Sequence, residues 1–390
     1  MEITSQALLV LAVSLTAAAF GTAVWLWPYL SRRTWRSVLG RVGVLLGIQL
    51  SCLAALGLAA NNYFGFYGSW NDLLGTGEDG AVTITDGTAA VSHSDAVRVL
   101  HHRQLPAPKG TMGRAGGRLE TVEIRGVKSR LSTQAYVDLP PQYGQRRYSQ
   151  VQFPVIIALT GYPGTTENLI TRLKYPELAD RAIARKEMPP TVLVLMRPTL
   201  APPRDTECMD VPGGPQVESF FTQDLPTALG SAYRVGDSAA YRGVIGNSTG
   251  GYCALKFAMR HPDTYTAAVA LSGYYRPAVD ATTGDLFGGS KQLQRENDLM
   301  WRLRNLPAPA VSVLVTTSRR GESDYRATRD FLAAAEPPLK TASIILPSGG
   351  HNFATWSREL PQALPWLSRQ LQAPRINPVL AEAAPDASTS

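Results

Sequence analysis

The chain has 390 residues, enough for one large domain or two small ones, and 44% of them are hydrophobic while 18% are charged. Its net charge of +7 is not gathered into a basic stripe with interleaved aromatic residues, so the composition does not indicate nucleic-acid binding. Three cysteines without a paired C-x-x-C spacing are too few for a disulfide scaffold and argue against a zinc site. We therefore expect no metal and no cofactor.

Two apolar stretches near the N-terminus, residues 7–27 and 42–64, are each long enough to cross a bilayer core of about 30 Å. The segment between them carries four arginines: Arg32, Arg33, Arg36 and Arg41. Because short loops rich in Lys and Arg stay in the cytoplasm, everything after residue 65 should face outside. A cleaved signal peptide or a buried helical hairpin are the alternatives. We predict a multi-pass hairpin in the cell membrane over residues 1–64.

Residues 65–117 have no clear hydrophobic period and are rich in Gly, Thr, Ser, Asp and Pro, which is typical of a linker. His101 and His102 are adjacent there, but no carboxylate or cysteine stands at a ligand spacing, so we do not predict a metal site. Residues 372–390 are rich in Ala and Pro and are predicted to form a disordered tail.

The segment between them, residues 118–371, contains short apolar runs separated mostly by stretches of helical character. The predicted strands are residues 119–126, 133–139, 153–159, 191–196, 243–245, 266–271, 311–316 and 343–346. Continuous apolar strands that alternate with helices predict an α/β domain with a mostly parallel sheet covered on both faces. The first two runs, joined by a short loop, should form an antiparallel edge.

The sequence Gly246-Asn247-Ser248-Thr249-Gly250 lies between an apolar run and a helical stretch. A serine on such a sharp strand-to-helix turn is exposed as a nucleophile, and the turn is too tight for bulk two residues before and after it. An ordinary glycine-rich turn is the alternative. We predict Ser248 as the nucleophile.

A serine nucleophile needs a base and an acid, which in such a sheet follow later strands in the order Ser, acid, His. Of the five histidines, His351 directly follows the last predicted strand, whereas His261 closes the helix after the serine. The loop after the preceding strand offers Glu322 and Asp324. We predict His351 as the base and Asp324 as the acid, with Glu322 as the alternative. Either carboxylate could also be a solvated loop charge.

Two backbone N–H groups are needed to stabilise the oxyanion of an acyl-transfer intermediate. One is predicted at Thr249, next to the nucleophile. The other should come from the loop of residues 160–164, where Pro163 has no N–H, so Tyr162 is the predicted donor.

The insert of residues 204–214 follows a predicted strand and either shapes the acyl or alcohol pocket or is only a surface loop. It contains Cys208, which could form a disulfide with Cys253 if the domain lies outside the cell. Cys52 lies in a predicted membrane span and cannot pair with either.

Together, Gly246-x-Ser248-x-Gly250, the loop of residues 161–164 and the segment of residues 349–356 resemble the putative-esterase family over about residues 118–371. That family includes S-formylglutathione hydrolase (esterase D), feruloyl esterases and the mycolyltransferases of actinobacteria. The resemblance implies an α/β-hydrolase fold and a Ser-acid-His triad. The esterase D branch has its acid in a G-x-x-D pattern, which favours Asp324, whereas the mycolyltransferase branch uses a glutamate, which keeps Glu322 open.

These features predict a membrane-tethered serine esterase or acyltransferase that acts on carboxylic esters. Hydrolase and transferase share one acyl-enzyme, and no residue decides between them. A serine peptidase on the same fold and a non-catalytic envelope protein that retains the fold are the alternatives. An exported domain would make envelope lipid or glycan esters the expected substrates. The lipid bilayer would be its partner through the hairpin, and no nucleic acid is expected.

Overall fold

The computed structural model describes residues 5–64, 70, 96–106 and 116–375. It divides the chain into two compact units, residues 1–77 and 78–390. Most of the predicted linker and residues 376–390 of the predicted tail lie outside the described residues.

The first unit contains helices α1 (Gln6–Leu26) and α2 (Trp35–Phe64). Their apolar segments have mean hydropathies of 2.2 and 2.1, so both are long and apolar enough to cross a membrane, and almost none of their residues are buried. A signal sequence near an N-terminus meets the same criteria. Helix α2 begins before the predicted span because the side chain of Thr34 accepts from the N–H of Ser37 (3.3 Å) and caps it.

The described residues of the second unit are built on one sheet of nine strands. The strands are β1 (Val97–Gln104), β2 (Arg118–Arg125), β3 (Ser132–Leu139), β4 (Val155–Leu159), β5 (Val192–Met196), β6 (Arg242–Asn247), β7 (Ala267–Leu271), β8 (Ser312–Ser318) and β9 (Lys340–Leu346). Their order in the sheet is β1-β2-β3-β5-β4-β6-β7-β8-β9. Strands β1, β2, β3 and β5 pair antiparallel, and the pairs from β5 to β9 are parallel. All eight predicted strands are present.

One or more helices follow each strand from β4 to β9. They are α3 (Glu167–Thr171), α4 (Tyr175–Ala184), α5 (Val217–Ser219), α6 (Leu225–Ala232), α7 (Thr249–Arg260), α8 (Lys291–Asn297), α9 (Leu299–Asn305), α10 (Tyr325–Ala334) and α11 (Phe353–Gln370). A π-helical turn, Phe220–Asp224, joins α5 to α6.

Strand β1 corrects the predicted boundary of the domain, because it lies inside the segment interpreted as a linker. It pairs with β2 from Val97 opposite Ile124 to Gln104 opposite Arg118, and it carries both His101 and His102. Within the described part of the chain the sheet therefore begins at residue 97, and its antiparallel edge has three strands instead of two.

Alternate residues of the central strands lie in different hydrophobic clusters, as expected for a sheet buried on both faces. In β4, Val155, Ile157 and Leu159 belong to the cluster that includes α7. Ile156 and Ala158 belong to the cluster that includes α4 and α11. The prediction of a mostly parallel sheet with helices on both faces is confirmed.

The strand order reverses direction at β4, which lies between β5 and β6. Loops that leave the carboxyl ends of neighbouring strands diverge at such a point and form a crevice where ligands bind in α/β sheets. The loop after β4 and the turn after β6 are the two that carry the predicted oxyanion donors and nucleophile.

Candidate active site

Ser248 occupies a sharp turn between β6 and α7, with φ 55° and ψ −122°. Residues other than glycine rarely adopt this backbone conformation. A side chain at Gly246 would meet the backbone of Gly250 at 2.3 Å, and one at Gly250 would meet the carbonyl oxygen of Thr160 at 2.4 Å. The glycines are therefore needed because of close backbone contacts. The N–H of Ser248 donates to the carbonyl of Leu271 (3.0 Å), which holds the turn against β7.

His351 lies directly beside Ser248. Its Nε2 atom is 2.8 Å from Ser248 Oγ, within hydrogen-bond distance. The ring also packs edge-on against Trp356, with centroids 5.3 Å apart. Burial lowers the pKa of the His351 imidazole below its usual value, although the nearby Glu322 carboxylate opposes this shift. The neutral form, which can accept a proton, is thus favoured near pH 7.

Of the two candidate acids, Glu322 is the one that faces His351. Its Oε1 atom is 3.9 Å from His351 Nδ1, and its side chain is fully buried. Among the described residues neither of its carboxylate oxygens has a hydrogen-bond partner. The distance is longer than a hydrogen bond, but catalytic contacts often tighten only when substrate binds.

Asp324 lies in a different environment. Its Oδ1 atom accepts from the hydroxyl of Thr317 at the end of β8 (3.1 Å). Burial and the charge of Glu322 raise the pKa of Asp324 to about 6. The preferred acid of the sequence analysis is thus hydrogen-bonded to the sheet, whereas its alternative, Glu322, lies 3.9 Å from His351 Nδ1.

The loops that carry Glu322 and His351 are joined through their backbones. The N–H of Gly349 donates to the carbonyl of Arg320 (3.0 Å). Gly321 has φ 96°, and a side chain there would meet the carbonyl oxygen of Gly349 at 2.3 Å. This close approach, which depends on glycine, fixes the loop after β8 against the loop after β9.

A third carboxyl group, which the sequence analysis did not single out, lies on α11 near this pair. Glu359 is fully buried, and its Oε2 atom accepts from the hydroxyl of Thr316 (2.7 Å). Burial, together with the charges of Glu322 and Asp324, raises the pKa of Glu359 to about 8. Its spacing along α11, three residues after Trp356, is a weak signal because many core helices carry such a residue.

The two predicted oxyanion donors lie on adjacent elements. Thr249 is the first residue of α7, where backbone N–H groups are left free of helical partners and the helix dipole favours negative charge. Tyr162 follows Gly161, whose Cα carries no side chain against Ser248; a Cβ there would be 2.9 Å from the Ser248 Cβ. Both residues are therefore next to the nucleophile.

The insert after β5 borders an open cleft of about 610 Å³. The cleft is lined by Tyr162, Pro203, Arg204, Ala281, Thr282, Gly284 and Asp285. The hydroxyl of Tyr162 donates to the carbonyl of Pro203 (2.8 Å), and Arg204 donates through Nε to the carbonyl of Thr283 (2.8 Å). The residue directly before the insert thus contacts the loop of Tyr162, and the insert itself borders the cleft through Arg204.

Residues 205–211 of the insert, which we name the strap, lie against α7. Cys208 and Cys253 form a disulfide with Cα atoms 5.9 Å apart. The fully buried Lys256 donates through Nζ to the carbonyls of Glu207 (2.9 Å) and Cys208 (2.7 Å). The helix that follows the nucleophile is therefore bound to the strap covalently and by hydrogen bonds.

Glu218 neutralises the buried ammonium group of Lys256. Its Oε2 atom is 3.5 Å from Lys256 Nζ, and its Oε1 atom is 2.7 Å from both Arg260 Nε and His261 Nε2. Although burial alone would raise it, Lys256, His261 and Arg260 hold the pKa of Glu218 well below its usual range. His261, interpreted from sequence as a helix-end residue, belongs to this cluster.

Comparison with known proteins extends these observations. Residues 130–367 match the family described as Putative esterase. An uncharacterised protein of Corynebacterium glutamicum is 23% identical over 247 residues, which cover 60% of this chain and 57% of that protein, so the chain spans little more than half of its relative.

Solved structures show the same fold at low identity. A ferulic acid esterase has a TM-score of 0.55 at 22% identity, with 66% of this chain and 100% of that chain covered. An S-formylglutathione hydrolase from Agrobacterium tumefaciens has a TM-score of 0.57 at 15% identity, with 70% and 100% covered. A fluorophosphonate-binding serine hydrolase of Staphylococcus aureus has a TM-score of 0.52 at 13% identity, with 65% and 99% covered. Because the family match covers more than half of the sequence, this chain is a member of the putative-esterase family with the α/β-hydrolase fold.

Proposed function

We propose that this protein is a membrane-tethered serine esterase or acyltransferase that cleaves carboxylic esters through an acyl-enzyme on Ser248. The observation that carries the proposal is the 2.8 Å contact between His351 Nε2 and Ser248 Oγ on the strained turn after β6. The family match supports ester chemistry.

In the first half of the reaction, Ser248 Oγ attacks the ester carbonyl carbon while His351 Nε2 removes the hydroxyl proton. The carbonyl oxygen becomes an oxyanion that the N–H groups of Thr249 and Tyr162 stabilise, each donor lowering the barrier by about 3 kcal/mol. His351 then gives the proton to the leaving alcohol, and the C–O bond breaks. Glu322 faces His351 Nδ1 and stabilises the imidazolium formed in between.

In the second half, water or another alcohol attacks the acyl carbon, and His351 Nε2 again takes the proton. The bond from the acyl carbon to Ser248 Oγ then breaks, His351 returns the proton to Oγ, and the carboxylic acid or the new ester leaves. The cleft of about 610 Å³ beside Tyr162 is open enough to hold part of the ester. Its wall combines the ring of Tyr162 with the polar side chains of Thr282 and Asp285.

The membrane tether rests on α1 and α2, which are long and apolar enough to span a bilayer, and on the arginines between the two apolar stretches. We propose that the catalytic unit faces the outside, where an envelope lipid or glycan ester would be its substrate. The Cys208–Cys253 disulfide supports this orientation, because disulfides persist in oxidising compartments.

One experiment tests both parts. Intact cells that make the full chain should be treated with a membrane-impermeant fluorophosphonate and, in parallel, with a permeant one. We expect both reagents to label the protein and neither to label the Ser248→Ala variant. That variant should also lose ester hydrolysis by about four to six orders of magnitude in the purified protein.

The outcomes separate the claims. Labelling by the permeant reagent alone would contradict export while leaving Ser248 as the nucleophile. If the Ser248→Ala variant were labelled as strongly as the natural protein, or kept near-normal turnover, the proposed acyl-enzyme on Ser248 would be contradicted.

A further inference from the structure

The strap contains a strained backbone turn that is held in place by contacts with α7. Glu207 and Cys208 have φ values of 49° and 55°, in the left-handed region that residues with a Cβ rarely adopt. The carbonyls of these same two residues accept from Lys256, and Cys208 forms the disulfide to Cys253. Such conformations persist only where the surrounding structure over-determines them, so the position of Glu207 is set by α7.

The side chain of Glu207 leads from this turn toward the nucleophile. The hydroxyl of Tyr274 donates to its carboxylate, 2.7 Å from Oε1 and 2.8 Å from Oε2. The same hydroxyl is 3.0 Å from Oγ1 of Thr249. Glu207 is 1% exposed and Thr249 5% exposed, so water competes little for these contacts.

Thr249 is the residue directly after Ser248 and the first residue of α7. A hydrogen bond to its side chain restrains the orientation of the peptide group whose N–H faces the oxyanion in the proposed reaction. Oxyanion donors stabilise the transition state only when they are held in place in advance.

We propose that Glu207 and Tyr274 are positioning residues that act through the Thr249 hydroxyl to hold the oxyanion hole. The proposal rests on the esterase reaction proposed above and extends it to two residues that contact no reacting atom. The raised pKa of Glu207, about 8 because of burial and the nearby Asp205, is consistent with a carboxyl group that is sealed from solvent.

Tyr252 provides a matched control. Its ring stacks on that of Tyr274 with centroids 5.2 Å apart and an angle of 14° between the planes. Its hydroxyl donates to the carbonyl of Asn297 (2.8 Å) and not to Thr249. Tyr252→Phe therefore removes one buried hydroxyl from the same pair of rings without changing the link to Thr249.

The test compares Tyr274→Phe with Tyr252→Phe in the full-length protein. The concentration of competent enzyme is first set by titrating Ser248 with a fluorophosphonate, and kcat and KM are then measured with an aryl ester. The inhibition constant of a trifluoromethyl ketone, which forms a tetrahedral adduct with the serine, reports on the oxyanion hole. We expect Tyr274→Phe to lower kcat and the affinity for the ketone by about 10- to 100-fold, below the full loss of one donor, with KM almost unchanged.

Tyr252→Phe should stay within about threefold of the natural protein in kcat, KM and ketone affinity. Glu207→Gln keeps an oxygen that accepts from Tyr274 and should retain most of the activity, whereas Glu207→Leu should resemble Tyr274→Phe. In a Thr249→Val background, Tyr274→Phe should cause no further loss, because the hydroxyl through which it acts is already absent.

Equal effects of the two tyrosine substitutions would overturn the proposal, as would additive losses for Tyr274→Phe and Thr249→Val. Both results count only if Ser248 still reacts with the fluorophosphonate in these variants. Failure of that titration in the natural protein would instead refute the proposed esterase reaction, so the two claims are tested separately.

Discussion

The buried carboxyl groups on the two sides of Ser248 differ in their partners. We call the side that holds the strap the strap side and the side that holds His351 the acid side. On the strap side, Glu218 contacts three basic side chains and Glu207 accepts from Tyr274. On the acid side, Glu322 has no hydrogen-bond partner among the described residues, and Asp324 and Glu359 each keep one oxygen without a partner there.

The paired carboxyl groups contribute to the stability of the fold, whereas the unpaired ones are available for the proposed reaction. The charged contacts of Glu218 bind α5 to α7, and breaking such a buried pair is costly. Unpaired buried oxygens cost free energy in the resting protein, and they remain available to a group whose charge changes during a reaction. His351 is that group in the proposed mechanism, and Glu322 is the carboxylate that faces it.

The largest effect should come from Glu322→Gln. An amide cannot stabilise the His351 imidazolium as a carboxylate does, so kcat should fall by about 10³- to 10⁴-fold with the fold intact. Asp324→Asn, which keeps an acceptor for Thr317, should lose less than about tenfold. Steady-state hydrolysis of an aryl ester at pH 8 measures both. A greater loss for Asp324→Asn would return the acid role to the residue favoured by the sequence.

A substitution on the strap side should lower the stability of the fold. Glu218→Gln leaves the fully buried Lys256 ammonium without its counter-charge, and we expect a loss of about 3–5 kcal/mol in the free energy of unfolding in urea. Glu177→Gln is the control, since Glu177 pairs with Arg181 on an exposed helix surface and should change stability by less than about 0.5 kcal/mol. Equal losses in the two variants would contradict the comparison.

The smallest effect is a pH dependence from Glu359. Its pKa is about 8 in the folded protein against 4.5 for an exposed glutamate, so between these values the folded state holds a proton that the unfolded state has lost. Its contribution to stability is therefore complete below pH 4.5 and is lost as the pH rises through 8. Glu359→Gln does not titrate and should gain about 1–3 kcal/mol relative to the natural protein between pH 5 and pH 8. Parallel stability curves for the two proteins in urea would show that Glu359 does not titrate in this window.

Much of the sheet could be predicted because its central strands are short, apolar and buried on both faces. Strand β1 was missed for the opposite reason. It is an edge strand whose residues are mostly exposed, and it carries Arg98, His101, His102 and Arg103, so its sequence has neither an apolar run nor a clear alternation.

In the candidate site too, some residues could be predicted from the sequence and others could not. Ser248 and His351 are marked by local glycine patterns, and the structure brings both together. The choice between Glu322 and Asp324 depends on how one loop turns at Gly321, whose φ of 96° is set by contact with the loop after β9. The link from Glu207 to Tyr274 joins residues 67 positions apart, and no spacing in the sequence predicts it.

Strand β1 has a practical consequence for expressing the catalytic unit. A protein cut at residue 118, where the sequence places the start of the domain, would lack β1 and leave unpaired the edge of β2 that faces β1, from Arg118 to Ile124. An exposed strand edge is a template for pairing with another molecule, whereas β1 presents arginines and histidines that discourage it. The shortest chain that stays soluble at high concentration should therefore begin before Val97.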